Sequence, residues 1–153
     1  MIAKKLKELL DSKKIKYVTL THSPAYTIQE IAEAAHIPSD KLAKTVIVKL
    51  DGTLGMAVVP GNKKINIEAL KKLANVNNID IATESEFRST FPDCDLGAMP
   101  PFGNLYKMKI YMDDSLAKDK EIGFNAGNHS EIIKMKYEDY ESLAGPIHGH
   151  FVI

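Results

Sequence analysis

Three stretches of the sequence carry residue types and spacings that can do chemistry. Lys44 opens the run Thr45-Val46-Ile47-Val48. Side chains alternate along a strand, so Lys44, Val46 and Val48 share one face and Thr45, Ile47 and Lys49 the other. Lys44 then points with the valines toward the core side, where an ammonium is costly unless paired or used. The alternative is a strand-start lysine that snorkels to water. The second stretch is Gly97-Ala98-Met99-Pro100-Pro101-Phe102-Gly103. Its glycines let backbone N–H groups approach a ligand, and its adjacent prolines stiffen the loop, as in an oxyanion hole built from main chain. A plain connection between helix and strand would read the same way. The third is Asn125-Ala126-Gly127-Asn128-His129, a tight turn presenting polar side chains. His129 could donate, accept or shape a pocket, against ordinary turn chemistry with a hydrogen-bonded histidine.

The other histidines and the cysteine read as weaker candidates. His22 precedes Ser23-Pro24 and is placed to line the same cleft. His36 falls at a helix C-terminus, where a positive group suits the dipole. His148 and His150 face the same way on a strand, but a zinc site needs a third or fourth ligand. Cys94 lies between Asp93 and Asp95, whose charges raise a thiol pKa and oppose a reactive thiolate. The sequence holds no Gly-x-Ser-x-Gly, Walker or dinucleotide fingerprint.

The elements that must position these residues follow from periodicity and caps. Ile2, Leu6, Leu9 and Leu10 stripe a first helix over Ile2–Ser12. Tyr17–Thr21 alternates as a strand, broken by Pro24. Thr27-Ile28-Gln29-Glu30 and Thr83-Glu84-Ser85-Glu86 are capping boxes, each opening a helix. Leu42–Leu50 and Leu54–Pro60 flank Asp51-Gly52-Thr53, a hairpin signal. Asn66 caps a short helix to Ala74. Ile79–Ala82, Tyr106–Met112, Glu121–Asn125, Glu131–Met135 and Ile147–Ile153 read as strands, and Tyr137–Leu143 as a helix. About seven strands with four or five helices predict an α/β (α+β-like) fold. The sheet is expected to be mixed, largely antiparallel and curled toward a barrel.

Composition bounds the function. A chain of 153 residues is enough for one domain, expected to span 1–153. No apolar run approaches the roughly 20 residues that cross a membrane, and the lysine-rich start lacks a secretory h-region. One cysteine suits a reducing cytosol, so a cytoplasmic location is expected. Lys+Arg and Asp+Glu both number 20, and Arg88 is the only arginine. That balance makes any nucleic-acid contact weak, local and transient, and no DNA or membrane partner is expected.

Taken together the motifs resemble the YbaK/ProX family of editing domains, free-standing relatives of the prolyl-tRNA synthetase insertion domain. The matching pieces are Ala43-Lys44-Thr45-Val46, the Gly97–Gly103 loop, Phe124 through His129, and His22-Ser23-Pro24-Ala25-Tyr26-Thr27. The resemblance implies an ester hydrolase acting on mischarged tRNA that carries a small amino acid such as alanine, cysteine, serine or proline. It implies that Lys44 is the essential polar residue and that Gly97 and Ala98 hold the carbonyl through their backbone. It gives substrate contacts to His22, Tyr26, Thr45, Met99, Pro100, Pro101, Phe102, Gly127, Asn128 and His129. No metal or organic cofactor is implied; a synthetase or elongation factor is an expected partner. Three other readings stay open: a non-catalytic tRNA-binding module, a hydrolase of small activated esters, and a metal protein built on His148 and His150.

Overall fold

The computed structural model describes residues 1–153. Its first helix, α1, spans Lys4–Ser12 and buries Leu6 and Leu10, one turn apart on one face. It starts later than the apolar stripe suggests because Ile2 and Ala3 are held elsewhere. The Ala3 N–H donates to the Ala126 carbonyl (2.8 Å), and the Met1 ammonium pairs with Glu131 (2.5 Å). Strand β1 (Tyr17–Thr21) follows, then helix α2 (Ile28–Ala35). Thr27 and Glu30 form the expected reciprocal cap at the start of α2.

Strands β2 (Leu42–Leu50) and β3 (Thr53–Pro60) form the hairpin around Asp51-Gly52. The Asp51 carboxylate also accepts the N–H groups of Asn77 and Asn78, which ties this turn to the start of β4 (Ile79–Ile81). Between them lies α3 (Ile67–Ala74), capped by Asn66 Oδ1, which accepts from the Ala69 N–H at 3.2 Å. Helix α4 is a single turn, Glu84–Phe87. The Glu86 carboxylate accepts the Thr83 N–H (2.9 Å) and pairs with Lys49 Nζ (2.6 Å). The Lys49 bond leads the interactions that hold the Glu86 pKa down at about 2.

Two predicted strands are shorter than read by three residues or more, and β4 stops one residue early, at Ile81. Tyr106 belongs to a 3-10 turn over Gly103–Tyr106, and β5 spans Ile110–Asp113. The turn is locked by the Tyr106 hydroxyl, which donates to Asp93 at 2.9 Å, and by Lys107 in the left-handed region. The last strand, β8, covers Ile147–Gly149 only, followed by an isolated bridge from Val152 to Ile65. Asp113 explains the break. Its fully buried carboxylate accepts the Phe151 N–H (2.9 Å) and the Ser115 N–H (3.1 Å), which pulls the terminal segment out of register. The remaining elements are β6 (Glu121–Asn125), β7 (Glu131–Lys136) and α5 (Tyr137–Ala144).

All eight strands join one mixed sheet in the order β1-β7-β6-β2-β3-β5-β8, with β4 also on β2. The β1–β7, β6–β7, β2–β3 and β2–β4 pairings are antiparallel; β2–β6, β3–β5 and β5–β8 are parallel. The sheet separates two apolar layers. Ala43 and Ile47 face the large core with Phe102, Phe124 and Tyr140, whereas Val48 and Leu50 face a smaller one with Leu70 of α3.

Gly127 shows how tightly α1 is seated. It has φ +104, and a Cβ there would stand 2.6 Å from the Ala3 Cβ and 3.2 Å from the Ala3 nitrogen. Gly127→Ala is expected to cost about 2–3 kcal/mol, from backbone strain plus displacement of the N-terminal segment. Urea unfolding of the variant measures it; an unchanged midpoint would contradict this seating.

Candidate active site

The central strand is incompletely paired. β6 pairs with β2 only at Leu42 and Ala43, and β4 only at Val48–Leu50. The edge between them opens into a cleft of about 330 Å³, lined among others by Tyr26, Lys44, Thr45, Gly97, Met99 and Asn125. Wider hollows of about 400 and 550 Å³ lie around Asp119–Glu121. Those grooves are rich in lysines and carboxylates, and they contain no residue of the three predicted stretches.

Lys44 projects on the Val46 and Val48 face, as alternation requires, at the end beyond the valines. It is half-buried and its Nζ donates to the Lys63 carbonyl at 3.0 Å. No carboxylate pairs with it, so two ammonium donors remain. Burial first, and the charge of Lys64 second, hold its pKa below the ordinary lysine value.

The Gly97 loop is a tight turn. The Ala98 N–H donates back to the Asp95 carbonyl (3.1 Å), with Gly97 at φ +85. The Ala98 amide is therefore engaged in the turn, where the resemblance implied that it holds a substrate carbonyl. The Gly97 N–H is different. It meets only Met99 Sδ, at 3.2 Å, a weak acceptor that an ester oxygen would outcompete.

His129 stands behind two of the lining residues, Tyr26 and Gly97, and does not itself line the cleft. Its Nε2 lies 3.0 Å from the Leu96 carbonyl. A carbonyl only accepts, so Nε2 is the donor in this bond and Nδ1 is the ring atom left over. That Nδ1 is buried with no partner. The exposed Tyr26 ring packs on the imidazole, with centroids 4.5 Å apart. The loops are zipped together by the His22 N–H to Ser130 O (2.8 Å) and the Ala25 N–H to His129 O (2.9 Å).

The remaining predicted residues play other parts. His22 turns Nδ1 to the Ser23 carbonyl (2.7 Å) and is not among the cleft-lining residues. Asn128 holds the turn and the N-terminus together, donating to the Met1 carbonyl (2.7 Å) while its Oδ1 accepts the Ser130 N–H (2.8 Å). Pro100 and Pro101 are buried, and the Pro101 carbonyl accepts the Tyr140 hydroxyl at 2.6 Å. Phe102 is a core residue. It is fully buried against Phe124 and Tyr140, with centroids 5.6 and 5.1 Å away, and lines no part of the cleft. Away from the cleft, His148 bonds Glu141 (2.6 Å) and His150 faces Asp113 (3.4 Å), so the two imidazoles engage separate carboxylates. Burial pushes the Cys94 thiol up to about 12, which leaves it unreactive.

Sequence reasoning missed the wall made by Ile81, Ala82, Glu84 and Phe87. No motif marks it. It follows from β4 pairing with the far half of β2, a contact with no local signature. Thr45 was expected at the site, but not for the reason the structure shows: its Oγ1 is buried without a partner, as is Asn125 Oδ1 across the cleft.

The sequence matches the profile described as the aminoacyl-tRNA editing domain over residues 22–143, a span containing every cleft residue named above. The chain belongs to the aminoacyl-tRNA editing domain family. It is similar to proline–tRNA ligases. The match is 33% identical over 90 residues in Staphylococcus epidermidis (strain ATCC 35984), covering 59% of this chain and 16% of the ligase. For Staphylococcus aureus (strain Newman) it is 36% over 93 residues, covering 58% and 15%. The chain thus spans about a sixth of the length of these curated relatives. Among solved structures, hypothetical protein APE2540 superposes with a TM-score of 0.87 at 20% identity, covering 98% of this chain and all of that one. A protein described as a candidate trans-editing enzyme for prolyl tRNA synthetase superposes with a TM-score of 0.82 at 19% identity, covering 97% and 95%. At these identities the structures establish the shared fold of this editing domain.

Proposed function

We propose that this editing domain is an aminoacyl-tRNA deacylase that hydrolyses the ester of mischarged tRNA in the cytoplasm. The observation that carries the reading is the convergence of an unpaired ammonium and an exchangeable backbone N–H on one small cleft, with no nucleophile–base pair. An aminoacyl ester is already activated. Catalysis then consists of placing water, or the neighbouring ribose hydroxyl, near the carbonyl and stabilising the oxyanion. Lys44 anchors and polarises the aminoacyl end, and the Gly97 N–H receives the developing negative charge as Met99 Sδ is displaced. Tyr26 and Met99 bound the amino-acid pocket, with His129 packed behind Tyr26 to hold its ring in place.

A cleft of about 330 Å³ favours a small side chain such as that of alanine, cysteine, serine or proline. Discrimination among these rests on wall contacts, each methylene contributing only about 1–3 kcal/mol. The zero net charge supports brief contact with tRNA, with a synthetase or elongation factor supplying further affinity.

Two comparisons separate this reading from its rivals. Filter binding alongside amino-acid release is expected to show cleavage with weak retention; retention without release would mark a non-catalytic module. Mischarged tRNA is expected to react far faster than the same amino acid's methyl ester, and equal rates would indicate a small-ester hydrolase.

A further inference from the structure

The floor of the cleft is main chain. Strand alternation sends both backbone groups of each β2 residue to the same side. The Ala82 N–H donates to the Ile47 carbonyl (2.9 Å) on the β4 side, and the Gly61 N–H to the Leu42 carbonyl (2.8 Å) on the β3 side. Odd-numbered residues of β2 therefore turn their peptide groups away from β3. Ala43 meets β6, and Ile47 and Lys49 meet β4. Thr45 falls in the interval between them, so its N–H and C=O face the cleft with no strand to pair with. Beside it lie Thr45 Oγ1 and Asn125 Oδ1, both buried and without partners. Unpaired buried acceptors are costly unless a ligand satisfies them.

Resting on the deacylase reading, we infer that the aminoacyl group docks as a one-residue β-partner of Thr45, its ammonium held by the Thr45 carbonyl and Asn125 Oδ1. An extended amino acid presents its nitrogen and its carbonyl oxygen to the same side. It can exchange both bonds with Thr45, as a hydrogen-bonded antiparallel pair does. The ammonium donates to the Thr45 C=O and Asn125 Oδ1. The ester carbonyl accepts the Thr45 N–H, and its second lone pair is left for the Gly97 N–H. Specificity for a free α-amine then comes from Asn125 and the backbone of β2, independently of the side-chain pocket.

The test uses stable amides that cannot turn over: 3′-deoxy-3′-alanylamidoadenosine, and its lactyl counterpart with a hydroxyl in place of the ammonium. Titration into the 15N-labelled chain is followed at the Thr45 amide. Bonds to a charged donor predict that the alanyl compound binds on the order of 10- to 100-fold more tightly, with the Thr45 resonance shifting. Asn125→Ala should shrink that preference by about tenfold, and Asn125→Asp, which keeps the acceptor, should preserve it. Equal affinities, an unmoved Thr45 amide, or no binding of either compound would overturn the inference. Alanyl preference in a chain that releases no amino acid from tRNA would overturn the deacylase reading and leave this docking mode standing. Deacylation with no alanyl preference would overturn the docking mode alone.

Discussion

Replacing Lys44 with alanine is expected to lower tRNA deacylation by about 100- to 1000-fold while leaving the fold intact. The size follows from the role proposed for the ammonium. A preorganised charge at a developing oxyanion in a partly dry cleft contributes on that scale. Stability should hardly change, because Lys44 has no carboxylate partner and its only bond is to the Lys63 carbonyl. Removing a half-buried ammonium also relieves its desolvation cost, so the free energy of unfolding should stay within about 1 kcal/mol of wild type. Lys44→Arg tests the geometry rather than the charge: a planar guanidinium is not a point donor, and full rescue is not expected. The pH profile carries the same signature. With the ammonium as the proposed working form, the Lys44-dependent rate is expected to fall as pH rises through a pKa that burial and Lys64 have lowered from the usual lysine value. Near-normal activity in Lys44→Ala would remove Lys44 from the mechanism.

The second large effect is on stability. Phe102→Ala is expected to cost about 3–5 kcal/mol, the range for truncating a fully buried aromatic ring. Phe102 is packed edge-on against both Phe124 and Tyr140, and Tyr140 is itself fixed by its bond to the Pro101 carbonyl. A domain of this size has only about 5–15 kcal/mol of stability, so the loss is a large share of the total and the unfolding midpoint should fall well below that of wild type. Urea unfolding reads the loss. A variant of normal stability with altered amino-acid selectivity would instead place Phe102 in the pocket.

Phe102 also shows where sequence reading stopped. The Gly97–Gly103 stretch announces an ordered loop, but which of its side chains turn inward depends on the turn type and on what the core needs. Only Gly97 and Met99 of that loop reach the cleft; the residues after them return to the core. The same holds for the amides. Glycine at position 97 signals a turn, but the bond from Ala98 back to Asp95 exists only once the turn has formed. Local signals served well where the chemistry is local. Both capping motifs, the Asn66 cap and the Asp51-Gly52 hairpin stand where residue types placed them. Alternation also put Lys44 on the correct face of β2. The gap beside Thr45 was not legible, because it depends on where β6 stops and β4 begins along a strand far from both in sequence.

Hydrolysis of an aminoacyl ester at this cleft is read from the time course of amino-acid release from tRNAs mischarged with alanine, cysteine, serine or proline, with wild type and Lys44→Ala side by side. Release from one or two of these by wild type, with the variant at the uncatalysed rate, is the predicted result. No release above the uncatalysed rate from any of the four by wild type would contradict it.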